Sequence, residues 1–212
     1  MRDPDRIADL PVRELVGRLA SSVPTPGGGS AAALVGAMAA ALVEMVGALT
    51  GDRTAGGVEA VREIGAAAAV RRSELLELAE LDAFADQAVI TARRLPRETE
   101  AERADRAERV AEATREATRI PLQVAETAAG VLTLAHRLAP IGNPHAVSDV
   151  GVAAQLASAS VRGALLNVRI NLPSLATDDP LRPEAAEQIG RLGAGAREGE
   201  AHVLAIVERL LG

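Results

Sequence analysis

The chain has no cysteine, no tryptophan and no tyrosine, and its single aromatic residue is Phe84. Lack of cysteine removes disulfides, cysteine–zinc sites and thiol nucleophiles together, and suits a cytoplasmic protein. Lack of aromatics removes the platforms on which single-stranded nucleic acids stack. No basic block stands out against the formal net charge of −6, so neither nucleic acid nor an anionic membrane surface is an expected partner. The opening Met1-Arg2-Asp3-Pro4-Asp5-Arg6 is charged and has no apolar core of the signal-peptide kind. His136, His145 and His202 lie far apart, without ligand spacing, and no metal site is expected from them. Alternating Val/Ile/Thr runs are missing, and strands and hairpins with them. No nucleophile elbow of the serine-hydrolase kind is present.

What remains is an alanine-rich chain of 212 residues in which apolar positions recur at helical spacing. That length fits one domain, residues 1–212, with a core of its own. Proline and glycine mark the breaks. Helices are expected from about Asp5 to Ala20, from Ser30 as N-cap to about Leu49, and from about Val58 to Arg94. A further stretch runs from about Glu98 to Leu138, then one from about Ser148 to Asn171, then one from Pro183 or Glu184 to Leu210. Pro121 should kink the fourth of these or divide it in two. Glu100, Glu102, Arg103, Asp105, Arg106, Glu108 and Arg109 read as a solvated, ion-paired face at its start.

Ala31 to Leu49 is about long enough to cross a bilayer. It carries Glu44 and is mostly Ala and Gly, so the expectation is a buried helix of a bundle, with no membrane partner. A helix apolar on nearly every face belongs at a bundle centre or in a subunit interface. The expected fold class is therefore all-α: an up-and-down helical bundle with long, partly kinked helices, homodimeric.

Four constellations bear chemistry. In Pro24-Thr25-Pro26-Gly27-Gly28-Gly29-Ser30, three glycines leave backbone N–H groups open to a ligand, and a helix N-terminus follows. The competing reading is a tight turn with Ser30 as cap. Gly142-Asn143-Pro144-His145-Ala146-Val147-Ser148-Asp149 places polar groups at a loop-to-helix junction, where a structural reading (Ser148 as cap, Asp149 against the helix dipole) accounts for Ser148 and Asp149 but less well for Asn143 and His145. Asn167 and Asn171 lie one turn apart in an apolar helix, suited either to a bond across the bundle or to reading a heterocycle edge. Asp82, after a mostly apolar run, is either solvated or an interior acid/base group, and Glu44 raises the same question.

These motifs, taken in order, resemble the formimidoyltetrahydrofolate cyclodeaminase and methenyltetrahydrofolate cyclohydrolase family. The resemblance rests on Pro24 through Ala33, Met45-Val46-Gly47-Ala48-Leu49-Thr50, Asp82-Ala83, Leu95-Pro96 and Ile120-Pro121-Leu122. Gly142-Asn143, Ser148-Asp149-Val150-Gly151-Val152 and Asn167 through Leu172 complete it. Two departures stand out. Gly51-Asp52-Arg53-Thr54-Ala55-Gly56-Gly57 lacks the lysine-rich, tyrosine-ended segment usual in the family, and Asp86 stands where an aromatic is usual.

The resemblance implies a homodimeric all-α enzyme with no tightly bound cofactor. Its substrate would be a one-carbon derivative of tetrahydrofolate, cyclised with loss of ammonia or hydrated and opened. It further implies Asp82 and Asp149 as the acid/base and electrostatic groups. Gly27, Gly28, Gly29, Ser30, Asn143, Ser148, Asn167 and Asn171 would bind substrate, with no metal ligand among them. The same motifs also suit a helical relative that only binds folate, or one that acts on another cyclic amidine or imine.

Overall fold

Proline decides where the first helix begins. In the computed structural model, which describes residues 6–51 and 57–212, the segment expected to be one helix from Asp5 is broken. A short 3-10 turn spans Ile7–Asp9, and helix α1 (Val12–Leu19) starts only after Pro11. Pro11 lacks the N–H that a continuing helix needs and clashes with the turn before it, so it can only head a new one. Five long helices follow: α2 (Gly28–Thr50), α3 (Val58–Arg93), α4 (Glu100–Leu138), α5 (Val147–Asn171) and α6 (Leu181–Leu211). No strand occurs among the described residues. Asp5 and the substituted part of the lysine/tyrosine segment, residues 52–56, lie outside the described residues.

Helices α2 to α5 form an up-and-down bundle, as expected. Helix α2 is antiparallel to α3: its start meets Asp82 and its end meets Val61 and Gly65. It is also antiparallel to α5. There the Ser160 hydroxyl donates to the Ala32 carbonyl at 2.7 Å, and the Asn143 N–H, just before α5, donates to Thr50 Oγ1 at 2.8 Å. Ala33, Ala39, Ala40, Val43 and Val46 of α2 are sealed from solvent. Small residues here let the neighbouring backbones come close; a Cβ on Gly36 would stand 2.6 Å from the Ser160 hydroxyl. By length and composition α2 could cross a membrane, but 56% of its apolar window is buried within the bundle. Helix α4 closes the bundle opposite α2, and α6 packs across α4 and α5. Glu44 proves half-exposed and pairs with Arg72 at 2.8 Å, which settles it as the wet side of α2.

Helix α4 starts two residues later than expected, because Thr99 and Glu102 form a reciprocal capping box. It also runs undivided through Pro121. Proline at 121 cannot donate to the carbonyl of Ala117, one turn earlier. That buried carbonyl is taken instead by Asn171 of α5, whose Nδ2 donates to it at 2.7 Å. Of the two readings of Asn171, the bond across the bundle is therefore realised, and its Nδ2 is committed to packing. Asn171→Ala is expected to leave the carbonyl unpaired and lower stability by about 1–3 kcal/mol. The check is a lower denaturant midpoint with an unchanged slope.

Candidate active site

Asp82 is where the glycine turn and α3 meet. It lies on α3 with only 3% of its surface exposed, so the interior alternative holds. The Ser30 hydroxyl donates to Asp82 Oδ2 at 2.9 Å. Gly29 lies flat against the same carboxyl: a Cβ there would stand 2.1 Å from Oδ1 and 2.6 Å from Cγ. Only glycine lets the turn lie this close. Ser30 is not the N-cap of α2. That position falls to Gly27, with no side-chain cap, and the helix begins at Gly28. The tertiary bond to a buried carboxylate wins over the local capping preference.

Two further groups join this end of the bundle. Asp86 is one helical turn beyond Asp82 and half-buried; its Oδ2 lies 3.9 Å from where a Cβ of Gly27 would be. Asn167 of α5 flanks Gly28. Its Nδ2 donates to the Gly163 carbonyl at 3.0 Å, and that nitrogen lies 3.8 Å from where a Cβ of Gly28 would be. Gly27, Gly28, Gly29, Ser30, Asp82 and Asn167 thus come together. The addition is Asp86, which sequence reasoning treated only as a displaced aromatic. Its i, i+4 spacing from Asp82 was the available signal.

The other expected residues sit elsewhere. Asn143 caps a 3-10 turn (Pro144–Ala146), accepting the His145 N–H at 3.0 Å. Its Nδ2 donates to the Leu49 carbonyl at 3.3 Å, at the far end of α2. Ser148 is exposed in the first turn of α5, which starts at Val147, and does not cap it. Asp149 is half-buried beside it. Since α2 and α5 are antiparallel, Asp149 stands roughly 25 Å along the bundle from Asp82, at 1.5 Å per helical residue. The Asp82 and Asp149 carboxyls do not meet within one chain.

Burial pushes the Asp82 carboxyl up to about 6. The hydrogen bond from the Ser30 side chain opposes the rise, the charge of Asp86 adds to it, and the Ser30 backbone bond opposes it again. Asp86 is itself raised by burial. A carboxyl that changes protonation near neutral pH can both take and give a proton. Ser30→Ala removes a bond that favours the charged form, so the acid limb of the pH–rate profile is expected to move alkaline. A limb that stays in place or moves toward acid would show that Asp82 is not the group titrating.

A buried carboxyl raised toward neutrality and laid against a glycine turn, carried by an all-helical bundle, places the chain in a class: a helical fold with a candidate acid–base site. Among the described residues no three His, Asp or Glu side chains gather as metal ligands would. Residues 11–190 match the family model described as formiminotransferase-cyclodeaminase, and the chain belongs to that family. It is 43% identical to the methenyltetrahydrofolate cyclohydrolase of Methylorubrum extorquens over 159 residues, 74% of this chain and 76% of that protein. It is 36% identical to the formimidoyltransferase-cyclodeaminase of Sus scrofa, covering 92% of this chain but only 36% of the longer protein. The crystal structure of formiminotetrahydrofolate cyclodeaminase from Thermotoga maritima superposes with a TM-score of 0.84. That likeness has 28% identity and covers 96% of this chain and 98% of that one.

Proposed function

We propose that this protein interconverts one-carbon forms of tetrahydrofolate in the cytoplasm, with no tightly bound cofactor, and that Asp82 is its acid/base residue. The observation that carries this is the carboxyl of about 6 lying against Ser30 and the glycine turn. It is supported by the named activities of the cyclohydrolase and cyclodeaminase relatives.

In the hydrolytic direction, water attacks the carbon of the cationic 5,10-methenyl bridge. Asp82 as carboxylate offsets the positive charge and takes the water proton. The tetrahedral adduct then breaks its bond to N5, which takes a proton from the same carboxyl, while the adduct's hydroxyl gives its own proton to the freed carboxylate and on to solvent, giving 10-formyl-tetrahydrofolate and one released proton. In the cyclising direction, with the formimidoyl group protonated as its amidinium, N10 of 5-formimidoyl-tetrahydrofolate attacks the formimidoyl carbon and gives its proton to a base. Protonated Asp82 then donates to the departing ammonia. Asp86 would hold the field negative beside the cation, while Asn167 and the N–H groups of the Gly27–Ser30 turn orient the heterocycle. The test follows methenyl-tetrahydrofolate absorbance for hydrolysis, and ammonia release from 5-formimidoyl-tetrahydrofolate for deamination. Acceleration of neither would sink the proposal. Tight folate binding without turnover would leave a binding module in its place.

The same proposal includes a homodimer built on α2. Met38, Met45 and Leu49 are 50%, 38% and 50% exposed on a helix otherwise packed against α3, α4 and α5. They fall on one face at helical spacing. Two α2 helices crossing antiparallel on that face would bring the partner subunit's Asp149 end toward this chain's Gly27–Ser30 end. That arrangement reunites the two halves of the site. Met38→Glu with Met45→Glu is expected to give a monomer by light scattering, with at least about tenfold lower turnover. A variant still dimeric and fully active would exclude this seam.

A further inference from the structure

Some arginines of this protein are answered by a carboxylate. Arg72, Arg115, Arg119 and Arg137 pair with Glu44, Asp179, Glu116 and Glu63 respectively. Arg162, Arg169 and Arg197 are not so answered, and they share one place. All three line one cleft of about 510 Å³ between α5 and α6, on a part of the bundle that the acid–base chemistry does not use. None of the three has a hydrogen bond or ion pair among the described residues. No acidic residue lines the cleft, although the chain carries a formal charge of −6.

The helices dictate this convergence. Arg162 and Arg169 are seven residues apart on α5, two turns, so they stand on one side of the helix about 10 Å apart along its axis. Helix α6 packs along α5 and supplies Arg197 from the facing wall. Gly190 and Gly193 line the α6 side, where missing side chains leave the space open; a Cβ on Gly190 would meet nothing within 4 Å. Leu165, Leu166 and Ile189 give it apolar walls. A cleft lined by one sign of charge and low-dielectric walls concentrates the opposite ion.

We infer that this cleft is a binding site for a small oligoanion, held by Arg162, Arg169 and Arg197. Guanidinium groups grip carboxylate and phosphate oxygens in pairs, and their spacing calls for at least two anionic groups on one molecule. No aromatic side chain lines the cleft, so it offers no stacking surface for a base. The anion has two possible sources. One is a free polycarboxylate or polyphosphate. The other, which rests on the folate proposal, is the carboxylate end of the substrate itself. Gly163 lines the cleft, and its carbonyl also holds the Asn167 amide beside the glycine turn.

Calorimetric titration of the full chain at low salt with citrate and with inorganic tripolyphosphate tests the site directly. Saturable binding is expected with at least one of them. It should be weakened at least tenfold in Arg162→Ala, Arg169→Ala and Arg197→Ala, and unchanged in Arg94→Ala. The residues replaced are all exposed, and circular dichroism checks that each variant keeps its helices. No saturable binding to the wild type, or equal binding by the Arg169→Ala/Arg197→Ala double variant, overturns the inference. Where the probe binds and competitively raises KM for the folate substrate, the cleft holds the substrate's own carboxylates. Where it binds and leaves KM unchanged, the site serves a separate anion. Loss of the folate activity itself would leave the binding measurement standing.

Discussion

Asp82→Asn is expected to lower turnover at least about a hundredfold and, at the same time, to make the protein harder to unfold above pH 7. Both effects come from one feature. The carboxyl is buried and takes its proton at about 6 in the folded chain, against the ordinary aspartate value of 3.8. Between those two values the folded state binds more protons than the unfolded one, so stability falls as pH rises through that window. Above it, the folded protein carries a buried charge that costs on the order of 3 kcal/mol relative to an unperturbed carboxyl. Asparagine has the same shape and no charge, and its Oδ1 still accepts from the Ser30 hydroxyl. The variant is thus expected to gain about 1–3 kcal/mol at pH 8 and little or nothing at pH 4, trading activity for stability. Denaturant melts at the two pH values, run beside the turnover assay, decide it. Wild-type turnover would remove Asp82 from the chemistry, and an equal stability change at both pH values would remove the buried charge as the cause.

Much of the architecture was legible because helices announce themselves in short-range order. Proline, glycine and the 3.6-residue recurrence of apolar positions locate α2 to α6 to within a few residues. Misreadings arose where a contact distant in sequence overrode a local rule. Ser30 has the look of an N-cap, but the Asp82 carboxylate, 52 residues away, claims its hydroxyl. Pro121 has the look of a break, but Asn171, 54 residues after Ala117, takes the Ala117 carbonyl that the proline abandons. Asp149 shows the commonest blind spot. Its motif sits between Asn143 and Asn167 in sequence, yet an antiparallel bundle sends the start and the end of α5 to opposite poles. Asp86 was visible as the next turn from Asp82, and its missing aromatic character concealed that it carries a second carboxylate to the same end. The arginine cleft was hidden for another reason. It depends on glycines in α6 facing α5, and no periodicity of α6 alone tells which of its faces α5 covers.

Gly29→Ala is the substitution expected to do most damage for the fewest added atoms. The new methyl carbon would stand 2.1 Å from Asp82 Oδ1 and 2.6 Å from both Cγ and Oδ2, inside any real contact distance. Asp82 has a short side chain, and its α3 neighbours Ala79 and Ala85 are buried, so the helix cannot back away as a whole. Either the carboxyl swings off Ser30 or the first turn of α2 shifts. Overpacking of this kind costs about 1–3 kcal/mol, and the lost charge-assisted hydrogen bond adds about 1.5–3 kcal/mol. Gly28→Ala is the control. Its methyl carbon meets only the Asn167 amide at 3.8 and 3.9 Å, ordinary contact, and alanine is the better helix former. It should stay within about 0.5 kcal/mol of the parent. If the clash is the cause, Gly29→Ala combined with Asp82→Ala should be more stable than Gly29→Ala alone, because removing the carboxyl clears the space. That coupling is non-additive, as expected for groups in contact, and turnover should stay lost in the double variant. Simple additivity of the two stability changes would mean that the glycine turn and the Asp82 carboxyl do not share the space assigned to them.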